Sequence, residues 1–319
     1  MRKILLFLAF AMSTSAIAQA QLKDLPEDTF QSSDEESAVE TVREPLSRDE
    51  QRAVFQGFVE RILDADSERA RLRAHADLLD RAEDLPDVLR YAVSRSNPDS
   101  FMRSVAAWTL GERGTAQACD ALRGVQISRE EPLTALSIAT AKGRCGDTSD
   151  LRTILAGNYE YTRARAAVAL GMVDDRRALS TIRANAQAEN EHQKFYILAQ
   201  GLLGDRSVHE QLVEMLSDRE YYLHAAIALS RQGADYVVYD LQAATRSPES
   251  MVRWAATREL TSRKLPGTCD VLDRLVEDSD ERVMKLSDGV LARWRGDAEA
   301  YWLREGFNMM NFNSRAYCP

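Results

Sequence analysis

Four histidines, His75, His192, His209 and His224, and four cysteines, Cys119, Cys145, Cys269 and Cys318, are the side chains of this chain best suited to hold a metal or act as nucleophiles. A zinc or iron centre needs several such groups converging with carboxylates at ligand spacing. His209-Glu210 is one imidazole beside one carboxylate, which is too few ligands. The cysteines form no CxxC pair, so no zinc pattern is present. No Gly-x-Ser-x-Gly elbow, phosphate-binding loop or dinucleotide fingerprint occurs, and no serine or cysteine shares a local setting with a histidine. The expectation is therefore no catalytic residue, no metal site and no cofactor.

Recognition chemistry is better represented. Arg90, Arg123, Arg152 and Arg183 recur at intervals of 33, 29 and 31 residues. A guanidinium presents a planar fork that bonds a carboxylate through two parallel hydrogen bonds. A row of such groups suits an acidic segment of another protein. Farther along, Tyr236 and Tyr239 replace arginine at similar places, with Glu214, Gln242 and Arg304 near them. The plainer reading is a solvated face in a chain with 35 arginines against six lysines. Trp108, Trp254, Trp294 and Trp302 fall at apolar phase and read as packing residues.

What must position these residues is a repeat. FMRSVAAWTLG (101–111), YTRARAAVALG (161–171), YYLHAAIALS (221–230) and MVRWAATRELT (251–261) align on their last positions. Eight anchors result: Asp80, Gly111, Gly143, Gly171, Gly201, Ser230, Thr261 and Arg293, separated by 31, 32, 28, 30, 29, 31 and 32 residues. Twelve residues before each anchor stand Glu68, Asp99, Glu131, Tyr159, Glu189, Asp218, Glu249 and Glu281, all acidic but Tyr159. Carboxylates there suit the first turn of a helix, at its electropositive end. Four residues before the anchor the side chains are small except for Ile197, and Leu79, Leu110, Leu170, Leu229 and Leu260 just before it are expected in the core. Glycine at four anchors suits a helix end that needs a left-handed residue. A polar turn then leads to a second amphipathic helix, which carries the arginines and tyrosines above. Such hairpins bury little alone and are stabilised by stacking.

These features resemble HEAT repeats, particularly the short variety shared with phycobilin-lyase-like proteins. The acidic start, the basic residue four positions later (Arg103, Arg163, Arg253, Lys285) and the closing Ala-Leu-Gly carry the likeness, which covers about 66–307. Ala135, Gln193 and Tyr222 interrupt the basic column. The resemblance implies an all-α fold, a right-handed α-solenoid of about eight helical hairpins whose second helices line a concave, partner-binding face. The function implied is a non-catalytic protein-binding scaffold or adaptor. The alternative is a HEAT-type lyase-like enzyme or a cofactor-handling protein. His209-Glu210 also resembles one of the His-Glu pairs by which HEAT-type deoxyhypusine hydroxylases hold iron, a family that uses several.

The flanks give the remaining organisation. Arg2 and Lys3, the apolar run Ile4 to Met12 and Ala18-Gln19-Ala20 read as a signal peptide over 1–20. Its removal takes the formal charge from −9 to −11, which disfavours nucleic acid as a partner. No later stretch is apolar enough to insert in a membrane, so the expected location is periplasmic or secreted, in a bacterial cell envelope. Residues 21–47 hold eight acidic and two basic residues and read as a disordered acidic linker. Ser47 and Glu50 fit a capping box opening a helix over 48–65 that covers the first hairpin. A tail over 308–319 is expected to cover the last one. An oxidising compartment favours disulfides, and the offsets from the anchors pair Cys119 with Cys145 and Cys269 with Cys318 among the three pairings available.

Overall fold

A computed structural model describes residues 45–295, apart from 129, 189–190 and 219; the side chains of 68, 69, 72, 234–236 and 293 are also outside the description. The signal peptide, most of the acidic linker, the C-terminal tail, Trp302, Arg304 and Cys318 lie outside the described residues. Sixteen α-helices follow one another in the described chain. The first is α1 (Arg48–Asp64). Then come α2 (Glu68–Arg81), α3 (Pro86–Val93), α4 (Ser100–Arg113), α5 (Ala116–Arg123), α6 (Pro132–Arg144), α7 (Ser149–Leu155), α8 (Glu160–Met172) and α9 (Leu179–Ala188). The remainder are α10 (Gln193–Leu202), α11 (His209–Met215), α12 (Tyr222–Ser230), α13 (Ala234–Ala244), α14 (Ser250–Ser262), α15 (Thr268–Leu275) and α16 (Glu281–Arg295). The expected all-α class holds, with helices paired in sequence order. The chain separates into two compact units at Tyr196/Ile197, inside α10.

In the first unit α4 packs on α6 and α6 on α8, while α3, α5 and α7 lie against these first helices. In the second, α12, α14 and α16 repeat the arrangement with α13 and α15. The small-residue column explains the close layer: Ala107, Ala139, Ala167, Ala226 and Thr257 are 0% exposed. The leucines before the anchors are buried as expected, with one correction. Leu79 is only half-buried, and Leu78, at 0% exposure, takes its place, so the register of the first hairpin is shifted by one residue. Trp108, Trp254 and Trp294 are all buried.

Helix ends account for the polar columns. Ser47 and Glu50 form the capping box: Glu50 Oε2 accepts from the Ser47 backbone N–H at 2.8 Å, and Ser47 Oγ accepts from the Glu50 N–H. Gln51 extends this start, accepting from the N–H groups of Asp87 and Val88 that open α3. Phe55, Val59 and Ile62 of α1 are buried, and α1 packs on α2 and α3. The acidic column sits slightly earlier than expected, at the residue before the helix in α4, α6 and α14. Asp99 caps α4 by accepting from Phe101 and Met102 N–H, but Glu131 and Glu249 make no such bond.

The anchor glycines require a larger correction. Gly111, Gly143, Gly171 and Gly201 all lie inside helices, not in left-handed caps. The left-handed residue comes three positions later in six successive hairpins: Gly114, Gly146, Asp174, Gly204, Gly233 and Lys264. At Gly111, Gly143 and Gly201 the anchor glycine instead gives a neighbouring residue space. A β-carbon on Gly201 would stand 2.4 Å from Leu212 Cδ1 and 2.9 Å from Ala228 Cβ.

The Cys119–Cys145 disulfide is formed, with a Cα–Cα separation of 5.5 Å, and ties α5 to the end of α6. The second expected pair cannot be followed, because Cys318 lies outside the described residues; no described cysteine is a free thiol.

Candidate functional site

The second helices do carry the candidate residues. Arg90 is exposed on α3 and Arg183 on α9. Arg123 closes α5 with its side chain 77% exposed, 2.7 Å from Asp120 one turn back. Tyr239 stands 77% exposed on α13, and the Tyr236 side chain is outside the description. Arg152 is placed differently. Its guanidinium donates to Asp175 at 2.6 Å and to Thr148 Oγ1 at 2.9 Å, so it ties its own hairpin to the turn of the next one. Thr148 and Arg177 bond the same carboxylate at 2.5 and 2.8 Å. Burial alone would raise the Asp175 carboxyl; the bonds from Arg177, Thr148 and Arg152 outweigh it and hold the group below the usual carboxylate range.

The basic column four residues into the first helices proves to be a clasp. Each arginine reaches back six residues to close the loop before its helix: Arg103 to the Asn97 carbonyl, Arg163 to Gly157 at 3.0 Å and Arg253 to Ser247 at 2.9 Å. Two of them also reach forward to the following hairpin. Arg103 pairs with Glu131, and Arg253 forks onto Asp278 with two bonds of 2.7 Å. Glu131 of the acid column thus serves ion pairing, which spacing alone did not reveal, whereas Asp278 lies three residues before the column's Glu281.

At one junction both partners are missing. Ala135 holds the arginine's position in α6 and Tyr159 holds the acid's position before α8. There an open depression of about 850 Å³ occurs, lined among others by Ile127, Pro132, Ala135, Arg152, Ile154 and Tyr159. Tyr159 is 60% exposed. Asp150, on the same wall, is paired with Lys142 at 2.7 Å.

His209 and His75 are both held by neighbouring side chains. His209 Nδ1 lies 2.9 Å from Gln232 Oε1 and its Nε2 lies 3.1 Å from Asp240. Gln232 in turn donates to the Asp205 carbonyl at 2.7 Å. The imidazole therefore pairs with Asp240 and not with its neighbour Glu210, which is exposed. His75 is buried edge-on to Trp108, ring centres 4.5 Å apart. Burial, with a smaller push from Arg71, lowers its pKa to about 3 and keeps it neutral. In the second unit the buried Glu259 accepts from Ser230 Oγ at 2.9 Å and from Arg258 at 2.7 Å. Among the described residues no three of His, Cys, Asp and Glu gather as metal ligands.

A family model for HEAT repeats matches residues 209–287, which lie in the second unit. No curated protein matches the chain.

Proposed function

We propose that this chain is a non-catalytic protein-binding scaffold of the bacterial cell envelope, engaging an acidic segment of a partner protein through its second helices. HEAT repeats generally engage other proteins, and the match over 209–287 supports that class of partner. The observation that carries the finer reading is that α3, α5 and α9 each keep an exposed arginine, Arg90, Arg123 and Arg183, in a chain whose formal charge is −9. Retained cations on an acidic protein steer an anionic partner to that side. Arg152 contributes indirectly, by fixing the α7 turn against Asp175. Signal-like residues 1–20 support an envelope location.

The test is capture from envelope extract with immobilised protein, comparing the unaltered chain with an Arg123→Glu/Arg183→Glu double variant. Both side chains are exposed, so the helical circular-dichroism signal should persist while capture falls at least tenfold. Undiminished capture by the folded variant would rule out the basic second-helix surface.

A further inference from the structure

The depression between α6 and α8 has a traceable origin. At the preceding junction Arg103 and Glu131 form the clasp. Ala135 and Tyr159 are the corresponding residues one hairpin later, and both have departed from the pattern together. The space there is open, with apolar walls at Ile127, Pro132, Ile154 and the exposed ring of Tyr159.

The charges around this space restrict what fits. Asp150 and Arg152 line it, but their charges are met by Lys142 and Asp175. A charged ligand group entering the depression would find no counter-charge, whereas an apolar side chain would be removed from water. Arg152 and Arg177 share the carboxylate of Asp175, and Asp147 also faces Lys142 and Arg152, so these charges balance, three acids against three bases. The matching ligand is an extended chain with one large apolar side chain.

That chemistry occurs in this chain. Phe30 is the sole aromatic residue between 21 and 44, preceded by Glu27 and Asp28 and followed by Asp34, Glu35 and Glu36. The fifteen residues from Phe30 to Pro45 extend to about 50 Å. Helices pack at about 8–10 Å, so that length covers the few helix layers between α1 and the gap. We infer that the segment around Phe30 docks in the Ala135–Tyr159 gap, its ring against Tyr159. The acidic N-terminal segment is then an internal ligand that any other occupant must displace. This inference concerns a site and an occupant within the chain and stands whether or not a partner uses the second-helix arginines.

The test places p-benzoylphenylalanine at position 30 of the full chain and maps the photocrosslinks by peptide mass spectrometry. Crosslinks to peptides within 127–135 and 149–162 are expected; crosslinks only elsewhere, or none, overturn the proposal. A second measurement uses a fluorescent synthetic peptide of residues 21–44. It should bind a Phe30→Ala chain at least tenfold more tightly than the unaltered chain, whose gap is already filled. Adding Thr153→Glu, at an exposed position on the wall, should weaken that binding at least fivefold without changing the helical signal. Equal binding to the unaltered and Phe30→Ala chains, or binding indifferent to Thr153→Glu, overturns it as well. Neither readout involves partner capture, so this proposal and the scaffold reading fail separately.

Discussion

Gly111 of α4 lies so close to Ala141 of α6 that a β-carbon on it would stand 2.8 Å from the Ala141 Cα. The obstacle is backbone, which cannot swing aside as a flexible side chain can. Gly111→Ala should therefore separate the two helices and cost about 1–3 kcal/mol, the usual penalty of overpacking. Urea unfolding followed by circular dichroism measures it. A variant as stable as the parent would mean that the two helices tolerate separation.

The left-handed column offers an opposite test. Lys264 holds φ 50° where most other hairpins have glycine. A lysine there carries steric strain that glycine lacks, partly offset by glycine's greater freedom in the unfolded chain. Lys264→Gly should stabilise by about 0.5–1 kcal/mol, and Gly204→Ala, at φ 80°, should destabilise by about 1 kcal/mol or more. Thermal melts of the two variants should move in opposite directions.

His75 makes stability depend on pH in a defined window. The unfolded imidazole takes a proton near pH 6.5, whereas the folded one stays neutral down to about 3. As pH falls through this interval the unfolded state binds the extra proton. Stability contributed by the neutral histidine is thus complete above about 6.5 and is lost toward pH 3, by up to about 1.4 kcal/mol per pH unit. His75→Leu should flatten that part of the profile when unfolding is measured between pH 4 and 7. Parallel profiles for the two proteins would show that the buried imidazole titrates normally.

The Cys119–Cys145 bond closes a span of 26 residues between adjacent hairpins. On the chain-entropy model a crosslink of that length is worth about 3.5 kcal/mol. The Cys119→Ser/Cys145→Ser protein should unfold at correspondingly lower urea concentration, with its helical content in buffer unchanged. An unshifted midpoint would mean that the reduced unfolded chain is already restrained there.

Export is tested by N-terminal sequencing of protein isolated from the envelope fraction. The expected first residue is Gln21, following Ala18-Gln19-Ala20. Intact Met1 on cytosolic material would overturn both the compartment and the physical setting assumed for the disulfides.

Most of the architecture was legible in the order of residues because a stacked hairpin repeats its physical requirements. Small residues recur where first helices touch, as at Ala107 and Ala167, and leucines recur where each hairpin closes its core, as at Leu110 and Leu229. The Ser47–Glu50 box and the Cys119–Cys145 pair were readable for the same reason, since each depends on short or regular spacing. The anchor glycines misled because one residue type answers two demands: Gly111 is small for a neighbour, while Gly114 is left-handed for its own turn. A pattern of types cannot separate these. Nor could spacing show that Arg152 is held by Asp175 while Arg123 stays largely exposed, since both recur at similar offsets on second helices. The gap at Ala135 and Tyr159 belongs to the tertiary structure for a similar reason. In sequence they are two isolated exceptions 24 residues apart, and only packing of α6 against α8 brings them to one junction, on the lining of one depression.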